Sequence, residues 1–132
     1  MTRWSFGIMA ALVGLAVALA GALVAAPAGV AKDGDVRVAG KCTKASTSKL
    51  KLSDEDGRIE VEFEVDQNRN GVRWIVALEQ NGRRIARLTR VTRGPSGSFE
   101  ARVVAANRAG ADSFRARATS PAGEVCTARA SF

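Results

Sequence analysis

Between residues 58 and 78 the chain alternates apolar and polar positions with a period of two. Ile59, Val61, Phe63 and Val65 interleave with Glu60, Glu62 and Glu64, and after a polar break Val72, Trp74, Val76 and Leu78 repeat the rhythm. Successive side chains of a strand point to opposite faces, so each run predicts a half-buried strand with one apolar side. The two runs are expected to form a core pair joined by a hairpin loop at residues 66–71. Weaker copies of the pattern lie on either side. Val36, Val38 and Cys42 suggest a first strand, and Leu50 and Leu52 alternate with Lys49 and Lys51 ahead of the Asp- and Gly-bearing turn at residues 53–57. Asn81-Gly82 is a strong two-residue hairpin signal. In residues 83–93, Ile85 and Val91 fall on one parity and Ala86 and Leu88 on the other, which predicts a bulge or an edge position.

Beyond the turn Gly94-Pro95-Ser96-Gly97, the residues Phe99, Ala101, Val103 and Ala105 alternate. Phe114, Ala116 and Ala118 then oppose Arg115 and Arg117, and Cys126, Ala128, Ala130 and Phe132 share one side of a last strand. No stretch after residue 31 has helical periodicity. The expected class is all-β, an antiparallel immunoglobulin-like β-sandwich of about seven strands spanning residues 32–132. The run FEARVVAANRAG at residues 99–110 resembles the late-strand segment of fibronectin type III and related bacterial immunoglobulin-like modules, in which an aromatic-led alternation ends in an Asn-x-Ala-Gly turn. In its Ala, Arg, Gly and Val usage the chain is also similar to small exported actinobacterial-type proteins without an assigned activity, a likeness that implies no function.

The N-terminus changes the picture of where this sandwich works. Arg3 is followed by no charged residue until Lys32, and small residues stand at Ala26 and Ala28 and at Gly29 and Ala31. This is a secretory signal pattern, predicting a signal helix in residues 1–31 with cleavage after Ala28 or Ala31. The rival is a retained membrane anchor, since the apolar run exceeds the roughly 18 residues that span a bilayer; its Ala- and Gly-rich composition and two cleavage options favour removal, which leaves no stable span. The expected location is therefore extracellular. Cys42 and Cys126 are the chain's two cysteines. In an exported protein they read as one disulfide tying the first strand to the last.

Composition removes several chemistries. The chain has no histidine and no tyrosine, so serine–histidine triads are excluded and no residue has an ordinary pKa suited to general-base work at neutral pH. Glu60, Glu62 and Glu64 line one strand face, where solvation of an outer surface is the simplest role. Residues 66–71 match the first half of a calcium loop, D-x-N-x-N-G, but the twelfth position is Ala77 where a bidentate Glu is required. No metal, cofactor or catalytic residue is assigned, and the chain is read as a non-enzyme.

Charge carries the remaining signal. Residues 32–66 hold 7 basic and 9 acidic side chains, whereas residues 67–132 hold 12 arginines and 4 acidic side chains. If the strands bearing Arg73, Arg115, Arg117 and Arg129 share one sheet, these four project from its outer face, with Arg83, Arg84 and Arg87 nearby. Such a face suits bidentate binding of phosphate, sulfate or carboxylate groups; the plainer reading is Arg standing in for Lys and pairing with glutamates. The aromatic residues parse as inward, which disfavours nucleic acid and glycan partners. The expected function is a secreted binding or structural module engaging an anionic envelope polymer or acidic protein, the alternative being a small-ligand carrier with a cleft beside the sheets.

Overall fold

The structure, a computed structural model, describes residues 34–132. The expected signal helix, residues 1–31, and both cleavage points lie outside the described residues. The strands in chain order are β1 (Val36–Ala39), β2 (Lys41–Cys42), β3 (Thr47–Glu55), β4 (Arg58–Asp66), β5 (Arg73–Gln80), β6 (Arg83–Val91), β7 (Ser98–Ala105), β8 (Ser113–Thr119) and β9 (Val125–Ser131). They form two antiparallel sheets, a four-stranded one in the order β1-β3-β4-β7 and a five-stranded one in the order β2-β9-β8-β5-β6. Nine strands stand where about seven were expected; the eight alternating runs of the sequence become nine because the N-terminal one splits in two.

Two tight hairpins are built by local chemistry. Asp56 and Gly57 (φ 50° and 78°) join β3 to β4, and Asn81 and Gly82 (φ 50° and 79°) join β5 to β6. Two successive residues with positive φ are what a two-residue type I′ turn needs, and Asn, Asp and Gly reach that region most cheaply. The β6 strand is both an edge strand and bulged. Its register against β5 slips between Leu78 and Glu79, leaving Ile85 unpaired, so both forms of the expected irregularity occur together.

The expected hairpin between β4 and β5 does not form. These strands belong to opposite sheets, and their apolar sides meet across the interior rather than side by side. Residues 66–71 form the crossing. Asp66 Oδ1 accepts the Asn68 N–H at 2.9 Å, Gln67 N–H donates to Gly97 O at 3.0 Å, and Thr92 Oγ1 donates to Arg69 O at 2.6 Å while accepting the Val72 N–H at 2.9 Å. The crossing is thus sewn to the turn between β6 and β7. Within the core Trp74, Phe63, Phe114, Leu50, Leu52, Ile59 and Leu78 are fully buried. The Trp74 indole N–H donates to Gln67 Oε1 at 3.1 Å, and its ring lies 5.9 Å from that of Phe99.

Gly40 explains the split of the first strand. Between β1 and β2 the chain leaves one sheet for the other, and a β-carbon at Gly40 would sit 2.7 Å from Thr127 O and closer still to Ser48 Oγ. Only glycine fits that approach. The exit places Cys42 directly opposite Cys126, with their Cα atoms 4.0 Å apart and a disulfide between them. The bond therefore ties β2, rather than β1, to the last strand.

Candidate functional site

Register assembles the arginine-bearing face. Across the outer side of the five-stranded sheet, one row runs Arg129 (β9), Arg115 (β8), Glu79 (β5), Arg84 (β6), because each pair is directly opposed. The next row runs Thr127, Arg117, Ala77, Arg87, and the one after it Val125, Thr119, Ile75, Thr89. Rows are about 7 Å apart along the strands, and opposed β-carbons about 5 Å apart. Arg115, Arg117 and Arg129 therefore form a compact group, joined by Arg84 and Arg87. Arg73 lies on the same face, opposite Val91, but four residues from Ala77 and so about 13 Å from the Arg117 row. Arg83 is opposite Gln80, whose side chain is buried, and so sits on the other side of β6.

These side chains border two shallow depressions. Ala77 and Glu79 floor a depression of about 240 Å³ walled by Arg115 and Arg117. A second, of about 210 Å³, adjoins it between Glu79, Gly82, Ser113, Phe114, Arg115 and Arg129. Glu79 is the acidic side chain on this face of the described strands, with its Oε2 3.9 Å from the nearest Arg115 nitrogen. At that distance the pair is a loose ion contact, not a hydrogen bond. The face carries a surplus of guanidinium groups, whose planar N–H forks can take phosphate or carboxylate oxygens two at a time.

The outer face of the other sheet is built differently, which makes the contrast informative. Lys49 lies opposite Glu64 and Lys51 opposite Glu62, with N–O distances of 3.5 and 3.3 Å. Arg102 donates through Nε to Glu60 Oε2 at 2.7 Å and pairs with Glu55 at 3.6 Å. The Arg102 hydrogen bonds hold the Glu60 carboxyl below the usual glutamate range, while burial and the adjacent Glu60 and Glu100 push Glu62 above it against the pull of Lys51. The glutamate row is thus engaged in a cross-strand charge ladder, in keeping with an outer face.

Two further features bear on ligands. At the corner where β6 meets β7, a cleft of about 580 Å³ is lined by Glu64, Thr89, Arg90, Val91, Arg93, Ser98, Phe99 and Glu100. The buried carboxylates serve the fold. Glu124 accepts from Ser46 N–H at 3.1 Å and Ser46 O–H at 2.5 Å, and Asp112 accepts from Gln80, Asn81 and the Arg108 N–H at 3.1, 2.8 and 2.9 Å. The arginine face also has apolar members. Among the described residues the exposed large hydrophobic side chains are Ile75, Ile85 and Val91, all on β5 and β6. The sequence signals Ile75, which falls between the inward Trp74 and Val76.

Compared with known proteins, the chain matches no protein-family model, no curated protein and no solved structure.

Proposed function

We propose that this protein is a non-enzymatic secreted binding or structural module of the cell envelope, an immunoglobulin-like sandwich of fibronectin type III character whose five-stranded face engages anionic partners. The fold assignment is supported by connectivity. Strands β3 to β9 give the neighbours β3-β4-β7 and β9-β8-β5-β6, matching the A-B-E and G-F-C-C′ order of such modules, with β1 and β2 added at the edges. Export is supported by the N-terminal signal pattern and by a disulfide of a kind that persists in oxidising surroundings.

One observation carries the binding assignment: Arg84, Arg87, Arg115, Arg117 and Arg129 gather on one face around Glu79, while on the opposite face the basic Arg37, Lys49, Lys51 and Arg102 are balanced in number by Glu60, Glu62, Glu64 and Glu100. An anionic envelope polymer or an acidic protein surface suits that surplus. The small-ligand carrier is the lesser reading, because the corner cleft it would use is lined by Glu64, Arg90, Arg93 and Glu100 rather than by apolar groups. The test is retention on immobilised polyphosphate and on isolated cell envelope across a salt series. Retention at low salt that falls steeply by moderate salt, and is lost in the triple variant Arg115→Ser/Arg117→Ser/Arg129→Ser, is the expected result. A triple variant that elutes with the wild type removes the assignment.

A further inference from the structure

The arginine face is also the apolar face. Ile75 is 41 % exposed, Ile85 39 % and Val91 36 %, and no other large hydrophobic side chain among the described residues reaches this exposure. Ile75 and Val91 project from the outer side of the five-stranded sheet, and Ile85 is exposed at the bulge of β6. Ile75 and Val91 are diagonal neighbours across β5 and β6, since Ile75 opposes Thr89 and Val91 opposes Arg73, and diagonal neighbours at about 7 Å let long side chains touch. Ile85 stands at the bulge, beside Arg84. The aliphatic groups thus lie toward the β6 edge, with Arg84 and Arg87 among them and Arg115, Arg117 and Arg129 on the strands behind.

We infer that the partner of this face is an anionic lipid surface, met with the β6 edge foremost, so that Ile75, Ile85 and Val91 enter the boundary between headgroups and acyl chains while the arginines hold lipid phosphates. The inference rests on the reading of this face as an anion-binding one and specifies its partner. A hydrated polyanion would satisfy the arginines and leave the three aliphatic groups in water. A layered surface, charged outside and apolar within, satisfies both. A second copy of the chain is a poor occupant. Two such faces brought together would oppose arginine with arginine, and two β6 edges would align Arg83, Arg84 and Arg87 against themselves, a charge pattern that blunts edge-to-edge pairing. The unpaired N–H and C=O groups along the β6 edge keep insertion shallow, since hydrocarbon leaves such groups unsatisfied. Each arginine near an anionic bilayer adds about fivefold in affinity, and the effect fades within a Debye length as salt rises.

The protein in its exported form is mixed with sedimentable vesicles of phosphatidylcholine alone or with one third phosphatidylglycerol, and in parallel applied to immobilised polyphosphate. The expected result is co-sedimentation with the anionic vesicles at least tenfold above the neutral ones. Ile75→Ser/Val91→Ser should lower vesicle binding about tenfold and leave elution from polyphosphate unchanged, whereas Arg115→Ser/Arg117→Ser lowers both. Ile85→Ser, at the bulge, supplies a second apolar variant, and thermal midpoints close to wild type confirm that the variants are folded. Vesicle binding unchanged in both apolar variants, or abolished by soluble polyphosphate or an acidic protein without any effect of the isoleucines, overturns the lipid inference and leaves the anion-binding function standing. Equal binding to neutral vesicles by every variant also overturns it, since neither the arginines nor the three aliphatic groups then carry the binding. A wild-type protein that ignores both anionic vesicles and polyphosphate removes the inference and the proposed function together.

Discussion

Arg115 of β8 and Arg129 of β9 stand directly opposite each other on neighbouring strands, both on the outer face of the five-stranded sheet. Like charges in that relationship destabilise a sheet, by a few tenths of a kcal/mol to about 1 kcal/mol at low salt. Their nearest counter-charge, Glu79, lies 3.9 Å from Arg115 and is itself partly exposed. On the opposite sheet the same geometry is filled by Lys51 against Glu62.

Replacing one member of the pair is therefore expected to stabilise the fold while weakening anion binding. Arg129→Thr should raise the unfolding free energy by about 0.5 kcal/mol in low salt, with the gain shrinking toward zero near 1 M salt as the charges are screened. Urea unfolding of wild type and variant at both ionic strengths measures this. Phosphate should raise the wild-type thermal midpoint more than chloride of equal ionic strength, because an ion bound to the folded state shifts the equilibrium toward it.

Gly40 has no room for a side chain. A methyl group there meets Thr127 O and Ser48 Oγ, the latter on a residue whose own carbonyl accepts the Gly40 N–H at 2.8 Å. Gly40→Ala is expected to cost about 2 kcal/mol or more, in the range of overpacked sites. Equilibrium unfolding reads the loss; a variant as stable as wild type would show that the chain can change sheets by another path.

Reduction of the Cys42–Cys126 bond should lower stability without altering the architecture. The bond closes a loop with a sequence separation of 84, for which the chain-entropy model gives about 4 to 5 kcal/mol. The β2 segment is also held by Thr43 N–H to Val125 O at 2.9 Å, Lys44 to Ala122 O at 2.9 Å and Ser46 to Glu124, so it stays in place when the sulfurs part. The expected outcome is an unchanged far-UV spectrum at 25 °C with a lower thermal midpoint in reductant. Alkylation of both thiols without reductant, in the exported protein, would contradict the bond.

The glutamate ladder predicts opposite pH responses from neighbours. Glu60 has a folded pKa held below the unfolded one by Arg102, so its contribution is present above the unfolded pKa and is lost as pH falls through the folded value. Glu62 has a folded pKa raised by burial beside Glu60 and Glu100, so ionising it takes stability away as pH rises from the unfolded value through the folded one. Glu62→Gln should accordingly raise stability at neutral pH, and Glu60→Gln should lower it. Unfolding midpoints from pH 3 to 7 test the pair of signs.

What the residues disclosed on their own was everything governed by the period of the strand and the chemistry of two-residue turns. Trp74, Phe63, Phe114 and the alternating alanines of β8 and β9 announce the core side, and Asn81-Gly82 announces its hairpin, because a strand's two faces and a type I′ turn are decided within a few residues. The parity break around Ile85 likewise marked the bulged edge. Sheet membership was not legible in this way. The β4 and β5 strands carry the same alternation whether they pair side by side or face each other across a core, and the choice rests on how residues 66–71 are sewn to Thr92 and Gly97, far along the chain. Gly40 looked like any glycine until Ser48 and Thr127 closed around it. The same holds for the arginine face. The sequence shows that residues 67–132 are rich in arginine, but only cross-strand register, a long-range property, placed Arg115, Arg117 and Arg129 together, drew in Arg84 and Arg87, set Arg73 apart and put Ile75 and Val91 beside them.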